Sequence, residues 1–196
     1  KTKEALDHFN NALQIKPNYI FPYNNRAAAY KKAGQYQKAL EDLNMAIHLN
    51  PKYAYAYNNR GTVYSDLGQN QKAIKDFNKA IHLNSSFVDA YNNRAAVFIK
   101  LGQYSLAMND WEKTIALDPD YLAAYINLAA IYGKFNQYNH VIKNLSEVIR
   151  LQPGNALTYY NRGLAYAQSG KNDYAINDFT IALRLKKDYL DAYNTR

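Results

Sequence analysis

The sequence predicts an all-α chain built as a stack of helix pairs, and three observations carry that prediction. A short phrase recurs every 34 residues: Tyr-Asn-Asn-Arg-Ala from Tyr23, Tyr-Asn-Asn-Arg-Gly from Tyr57, Tyr-Asn-Asn-Arg-Ala from Tyr91, looser copies from Tyr125 and Tyr159, and a truncated one from Tyr193. Within each copy aromatic and small residues return at helical spacing. Near the middle of each copy stands a glycine or asparagine. A fixed period of this size means that each unit buries its apolar face on its neighbours, which gives a one-dimensional stack with one extended groove.

The first helix of each copy has its apolar stripe set by the opening tyrosine and by the aromatic seven residues on: Tyr30, Tyr64, Phe98, Tyr132 and Tyr166. It stops at Gly34, Gly68, Gly102 and Gly170, with Asn136 in the fourth copy. These residue types tolerate the left-handed conformation that closes a helix. The second helix carries alanine where it approaches the first, at Ala39, Ala73, Ala107 and Ala175 and again at Ala46, Ala80 and Ala182, because close helix contact needs small side chains. Between those alanines lies a large apolar residue: Leu43, Phe77, Trp111, Leu145 or Phe179. Pro51, Pro119 and Pro153 end the second helix, and Ser85 and Lys187 stand in their place in the second and fifth copies.

This order of residues resembles the tetratricopeptide repeat, and the resemblance covers the whole chain. It implies an all-α, right-handed superhelical solenoid of antiparallel helix pairs. The units expected are a second helix over 1–19, full repeats over 20–53, 54–87, 88–121, 122–155 and 156–189, and the start of a further repeat over 190–196. Tyrosine replaces the family's usual tryptophan and arginine its leucine, in register along the array, which marks a subtype.

An arginine inside a helix interface requires a partner. Arg26, Arg60, Arg94 and Arg162 each recur with an aspartate sixteen residues later, Asp42, Asp76, Asp110 and Asp178, and both vanish together in the fourth copy as Leu128 and Asn144. An ion pair between the two helices of one repeat is expected. The fourth copy also places Val141 and Val148 where alanine is usual, which predicts a local change in helix packing over 122–155.

In a tetratricopeptide array the first helices line the concave wall, where the family binds extended peptides or partner helices. The matching places hold Asn25, Asn59, Asn93, Asn127 and Asn161, with Thr195 breaking the series. Asparagine disfavours helix by several tenths of a kcal/mol relative to alanine, so the recurrence needs a reason. A side-chain amide can pair with both N–H and C=O of an extended peptide, and the arrangement resembles the asparagine ladder in the superhelical domain of O-GlcNAc transferases. The other reading is that the amides tie one repeat to the next through backbone carbonyls. Asn24, Asn58 and Asn92 sit beside the ladder and give way to Ile126 and Tyr160 in later copies, which predicts that they are less bound by architecture. Most of the 20 tyrosines occupy framework places; Tyr55 and Tyr160 are expected on the unpacked face of the first helix. Along the wall the residues pass from polar to apolar, reaching Ile126, Leu157, Tyr160 and Leu164, an expected contact surface.

Other functions find less support. The clamp by which family members hold a terminal carboxylate maps onto Asn24, Ala28, Asn59, Asp89 and Asn93, of which one matches, so acidic chaperone tails are not expected partners. The net charge of +8 is spread at +2 or +3 per full repeat, with the third repeat at −2, and forms no nucleic-acid patch. His8, His48, His82 and His140 lack metal-ligand spacing. No phosphate-binding loop and no run of about 18 apolar residues occurs, so neither an enzyme, a cofactor nor a membrane span is expected. There are no cysteines, and localisation stays open. The expectation is a non-catalytic scaffold binding a protein or peptide segment in its groove. A self-assembling array, with end-to-end association through its uncapped terminal units, and the substrate-recruiting arm of a larger enzyme such as a glycosyltransferase are the alternatives.

Overall fold

The computed structural model describes residues 2–186. The copy opening at Tyr193, with Thr195 and Lys187, lies outside them. Eleven helices and no strand occur among the described residues, which form two compact units, one ending at Asp110 and one beginning at Trp111. The first unit holds α1 (Thr2–Ile15), α2 (Ile20–Lys32), α3 (Tyr36–Leu49), α4 (Ala54–Asp66), α5 (Asn70–Leu83) and α6 (Val88–Lys100). Residues of α7 (Tyr104–Leu117) belong to both units, and the second continues with α8 (Leu122–Lys134), α9 (Tyr138–Leu151), α10 (Ala156–Gln168) and α11 (Asn172–Leu185). From α1 to α6 each helix packs on the next, and α4 also touches α2 and α6. In the second unit α8 packs on α9, α9 on α10 and α10 on α11.

The helix stops follow from residue chemistry. Gly34, Gly68, Gly102 and Gly170 have φ of 71° to 75°, and Asn136 reaches the same region at 57°. The N–H of the following residue then donates back to the aromatic carbonyl five residues earlier, as in Gln69 to Tyr64 at 2.8 Å and Gln137 to Tyr132 at 2.9 Å. At the other end of the repeat the proline is helped by an unforeseen device. Asn50 Oδ1 accepts from the Lys52 N–H at 2.9 Å, Asn84 Oδ1 from Ser86 at 3.1 Å and Asp118 Oδ1 from Asp120 at 3.1 Å. Such a side-chain turn competes with continued helix, so the second copy stops at Asn84 with Ser85 in place of proline. The opening tyrosine has a use for its hydroxyl here, since Tyr57, Tyr91 and Tyr125 donate to the carbonyls of Pro51, Ser85 and Pro119 at 3.1 to 3.3 Å.

The core between paired helices trades size across the contact. A Cβ on Gly61 would stand 2.7 Å from Phe77 Cε1, and one on Gly163 2.6 Å from Phe179 Cε1. Where the second helix carries Leu43 or Leu145 in that place, the first carries Ala27 or Ala129, all buried. In the fourth repeat the bulk of Val141 faces Gly133, where a Cβ would lie at an ordinary 3.8 Å.

Four arginines hold this frame together. Arg60 donates from Nε to Asp76 Oδ2 at 2.7 Å and from Nη2 to Oδ1 at 2.8 Å, and Arg26, Arg94 and Arg162 repeat the two-pronged bond to Asp42, Asp110 and Asp178. Each has a third bond that the sixteen-residue register did not disclose. Nη1 reaches back to the second helix of the preceding repeat, to Asn10, Asn44, Asn78 or Ser146. Each guanidinium also lies 5.5 to 5.9 Å from the centres of two rings, such as Tyr57 and Tyr64. The bond to aspartate raises the pKa of Arg26, Arg60 and Arg162 against the opposing effect of burial. A fork of this kind suits a carboxylate better than a lysine would.

Candidate functional site

The asparagines of the first unit form a connected chain of amides. Asn93 Nδ2 donates to Asn58 Oδ1 at 3.0 Å, and Asn59 Nδ2 donates to Asn24 Oδ1 at 2.8 Å. Between these strong links, Asn58 donates to Asn59 and Asn24 to Asn25 at 3.4 and 3.3 Å. Asn24 and Asn58 are buried, so the expectation that they are the freer pair is overturned: they are the acceptors on which the next repeat is hung. A step of one residue turns the side chain by about 100° on a helix, and here it turns these two into the interface. Asn92 is half-buried. The link runs through side-chain amides and not through backbone carbonyls. An asparagine offers two N–H donors and two acceptor lone pairs. Asn59 commits one donor to Asn24 and one lone pair to the long bond from Asn58, so half of its capacity is left for a ligand.

Over this chain lies a cleft of about 620 Å³ lined by residues of α2, α3, α4 and α6. Asn58, Asn59 and Asn93 form its polar floor; Ala28, Lys31 and Thr62 stand on its walls. Lys31 Nζ bridges to Asp66 Oδ2 at 3.4 Å, with Lys32 and Asp89 also on the lining, so the rim carries both signs. Beside it the helix starts carry an aromatic row. Ring centres of Tyr19, Phe21, Tyr53, Tyr55 and Phe87 follow one another at 5.6, 5.7, 5.7 and 4.7 Å. Tyr55 is 53% exposed. Burial, then the neighbouring Tyr55, raises the pKa of Tyr53.

Tetratricopeptide-repeat family models match residues 21–53, 54–87, 88–121, 122–155 and 156–189. The chain belongs to the tetratricopeptide repeat family. Among solved structures it is similar to YrrB, described as a tetratricopeptide protein with an unusual peptide-binding site, at 22% identity and a TM-score of 0.74 over 95% of this chain and 96% of that one. It is similar to PilF of Pseudomonas aeruginosa at 17% identity and a TM-score of 0.81, over 99% and 88% of the two chains. A MamA fragment from Desulfovibrio magneticus RS-1 is 23% identical, with a TM-score of 0.71, over 85% and 94%. At these identities the likeness is one of fold. No curated protein matches the chain significantly. Membership makes this a protein-interaction scaffold, of a family that is generally non-catalytic.

In the second unit the tetratricopeptide wall places are occupied differently. Asn161 is exposed on α10 and Asn127 half-buried on α8. Ile126 and Leu157 are 44% and 54% exposed, and Leu164 is half-buried. Tyr160 is half-buried, with its ring 5.7 Å from that of Phe179 in its own repeat. No helix among the described residues is long and apolar enough to cross a membrane, and none of their His, Asp and Glu residues cluster in a way that could hold a metal.

A second cleft, of about 410 Å³, opens between α7, α8 and α9. Tyr132 donates to Glu112 at 3.3 Å across it, and His140 stacks on the Tyr132 ring at 4.6 Å. Burial, then the charge of Glu112, raises the Tyr132 pKa; burial, then Glu147, raises that of Tyr125, with Arg150 opposing. The joint loss of arginine and aspartate at Leu128 and Asn144 marks this place in the sequence, but not that a cleft opens there.

Proposed function

We propose that the first unit binds an extended polypeptide of a partner protein along the cleft over the asparagine chain. The carrying observation is that amides from two successive repeats, Asn58, Asn59 and Asn93, line one open cleft while each keeps unused hydrogen-bonding capacity. Evenly spaced amides suit the evenly spaced N–H and C=O groups of an extended chain. The mixed rim of Lys31, Lys32, Asp66 and Asp89 favours a ligand without strong net charge, and the aromatic row around Tyr55 offers apolar contact to its side chains. The recurrent places in the second unit, Asn127 and Asn161, with Ile126, Leu157 and Leu164, are proposed as a contact surface of that unit in its own right. An interaction scaffold needs nothing more than this: backbone grip for affinity and a few side-chain contacts for choice.

The test is selection from a random peptide library displayed on phage, with the whole chain as bait. Binders should lose about tenfold or more in affinity on Ala28→Trp, which plugs the cleft, and less on Asn93→Ala, which removes one amide. Tyr174→Ala, on α11, should leave them unchanged. Binders indifferent to Ala28→Trp would refute the assignment of the cleft.

A further inference from the structure

The fourth repeat keeps an arginine site without its arginine. In the other repeats the guanidinium rests between the rings at two fixed places, donates to an aspartate of its own second helix, and donates to Asn10, Asn44, Asn78 or Ser146 of the preceding one. The equivalent places in the fourth repeat are Tyr125 and Tyr132, Asn144, and Glu112. Both rings are retained, and the acceptor from the preceding helix has become a carboxylate. The cation is gone, replaced by the shorter Leu128, and the aspartate of the repeat's own second helix has become Asn144, so the carboxylate of the site is now Glu112. The surroundings have not closed over the loss, because these residues line the open 410 Å³ cleft. Asn144 is only 8% exposed; its Nδ2 donates to the His140 carbonyl at 2.8 Å, while its Oδ1 accepts nothing from the described residues.

Charge points the same way. Glu112 and Glu147 both line the cleft, in a region where the third repeat is the one acidic copy among the five full ones. Lys143 lines it too, and Arg150 binds Glu147 Oε2 at 2.8 Å, so the excess is modest and, of these two carboxylates, Glu112 is the one without an ion pair among the described residues. A cation held by two aromatic faces and a carboxylate is attracted by both. Planar guanidinium matches the geometry that the other four repeats use for the same rings.

We propose that the cleft between α7, α8 and α9 takes the guanidinium of an arginine presented by a partner polypeptide, which completes from outside the contact that Arg26, Arg60, Arg94 and Arg162 make from within. This site is independent of the cleft proposed for the first unit.

The probe is a capped pentapeptide with arginine at its centre and glycine elsewhere, titrated into the isotope-labelled whole chain and followed by amide NMR shifts. The same peptide with citrulline, which has the shape without the charge, is the control, and capped arginine amide is the second arm. Saturable shifts at Glu112, Tyr132 and Glu147 are expected, about tenfold weaker with citrulline. Glu112→Gln, at an exposed position, should weaken the arginine peptide by a similar factor. Leu128→Arg with Asn144→Asp refills the site from inside, should melt no lower than the parent, and should abolish the shifts. Equal response to citrulline, no response to the arginine peptide, or indifference to Glu112→Gln would overturn the proposal, as would a site that takes capped arginine amide and excludes the peptide.

Discussion

Replacing Gly61 by alanine tests the size trade in the core. Gly61 lies within α4 and has ordinary helical backbone, so alanine gains about 1 kcal/mol of helix propensity. Against that, the new methyl would sit 2.7, 2.9 and 3.0 Å from three ring atoms of Phe77, and Phe77 is fully buried. Nothing at the far end of a flexible chain can move aside. Overpacking of this kind costs about 1–3 kcal/mol, so Gly61→Ala should be destabilising by up to about 2 kcal/mol net. Phe77→Leu alone removes ring atoms from a closed site and should cost on the order of 1–2 kcal/mol, below the range for truncation to alanine. Together the two changes create the pair already present in the first repeat, Ala27 with Leu43, which share one core cluster. The double variant should therefore be more stable than the sum of the singles by at least about 1 kcal/mol. Urea unfolding of the four proteins, followed by far-UV circular dichroism, measures the coupling. Strict additivity would show that the ring and the glycine do not compete for the same space, and the account of the core would fail.

Arg60→Leu leaves Asp76 buried without its cation and should cost about 3–5 kcal/mol, whereas Arg60→Leu with Asp76→Asn copies Leu128 and Asn144 and should recover most of it; equal losses in a denaturation series would reject the pair. Asn59→Ala strips a donor from the buried Asn24 oxygen, for a loss of about 1–2 kcal/mol less the gain in helix propensity, and an unchanged melting temperature would mean that the amide chain carries no structural weight. At Gly68, φ is +72° with open space around it, so alanine should cost about 1 kcal/mol through the backbone alone. Asn136→Gly, at the equivalent place, should raise the melting temperature slightly, and a fall would contradict the left-handed cap.

The sequence disclosed what repeats. The helix stops, the arginine and aspartate register and its joint loss in the fourth copy all follow from comparing one period with the next. Asn10, Asn44 and Asn78 recur with the same step, but they lie in the preceding repeat and no neighbour in the sequence announces the contact. Asn24 and Asn58 were misjudged for a different reason. Two adjacent amides on a helix look alike in a string of letters, and only the packing of α2 on α4 and α4 on α6 decides which one is enclosed. Tyr160 is half-buried beside the ring of Phe179, nineteen residues on, a contact between helices that the letters do not announce. The cleft around Glu112 is the deepest case: a missing residue can be read from the sequence, but whether its neighbours collapse into the space depends on how rigidly the two tyrosines are held.

The asparagine and arginine hydrogen bonds between successive repeats point one way, opposite to the direction of the Lys31–Asp66 ion pair. In the first unit, Asn59 and Asn93 give hydrogen to the repeat before, as do Arg26, Arg60 and Arg94, and the receiving side supplies only oxygen. A seam of this type has a giving side and a taking side. It can be copied indefinitely by translation along the axis but cannot be closed by a twofold rotation, which would set donor against donor. The polarity of the polypeptide is thus carried outward into the seams themselves, and any further unit spliced in by duplication meets a ready-made match on both of its sides.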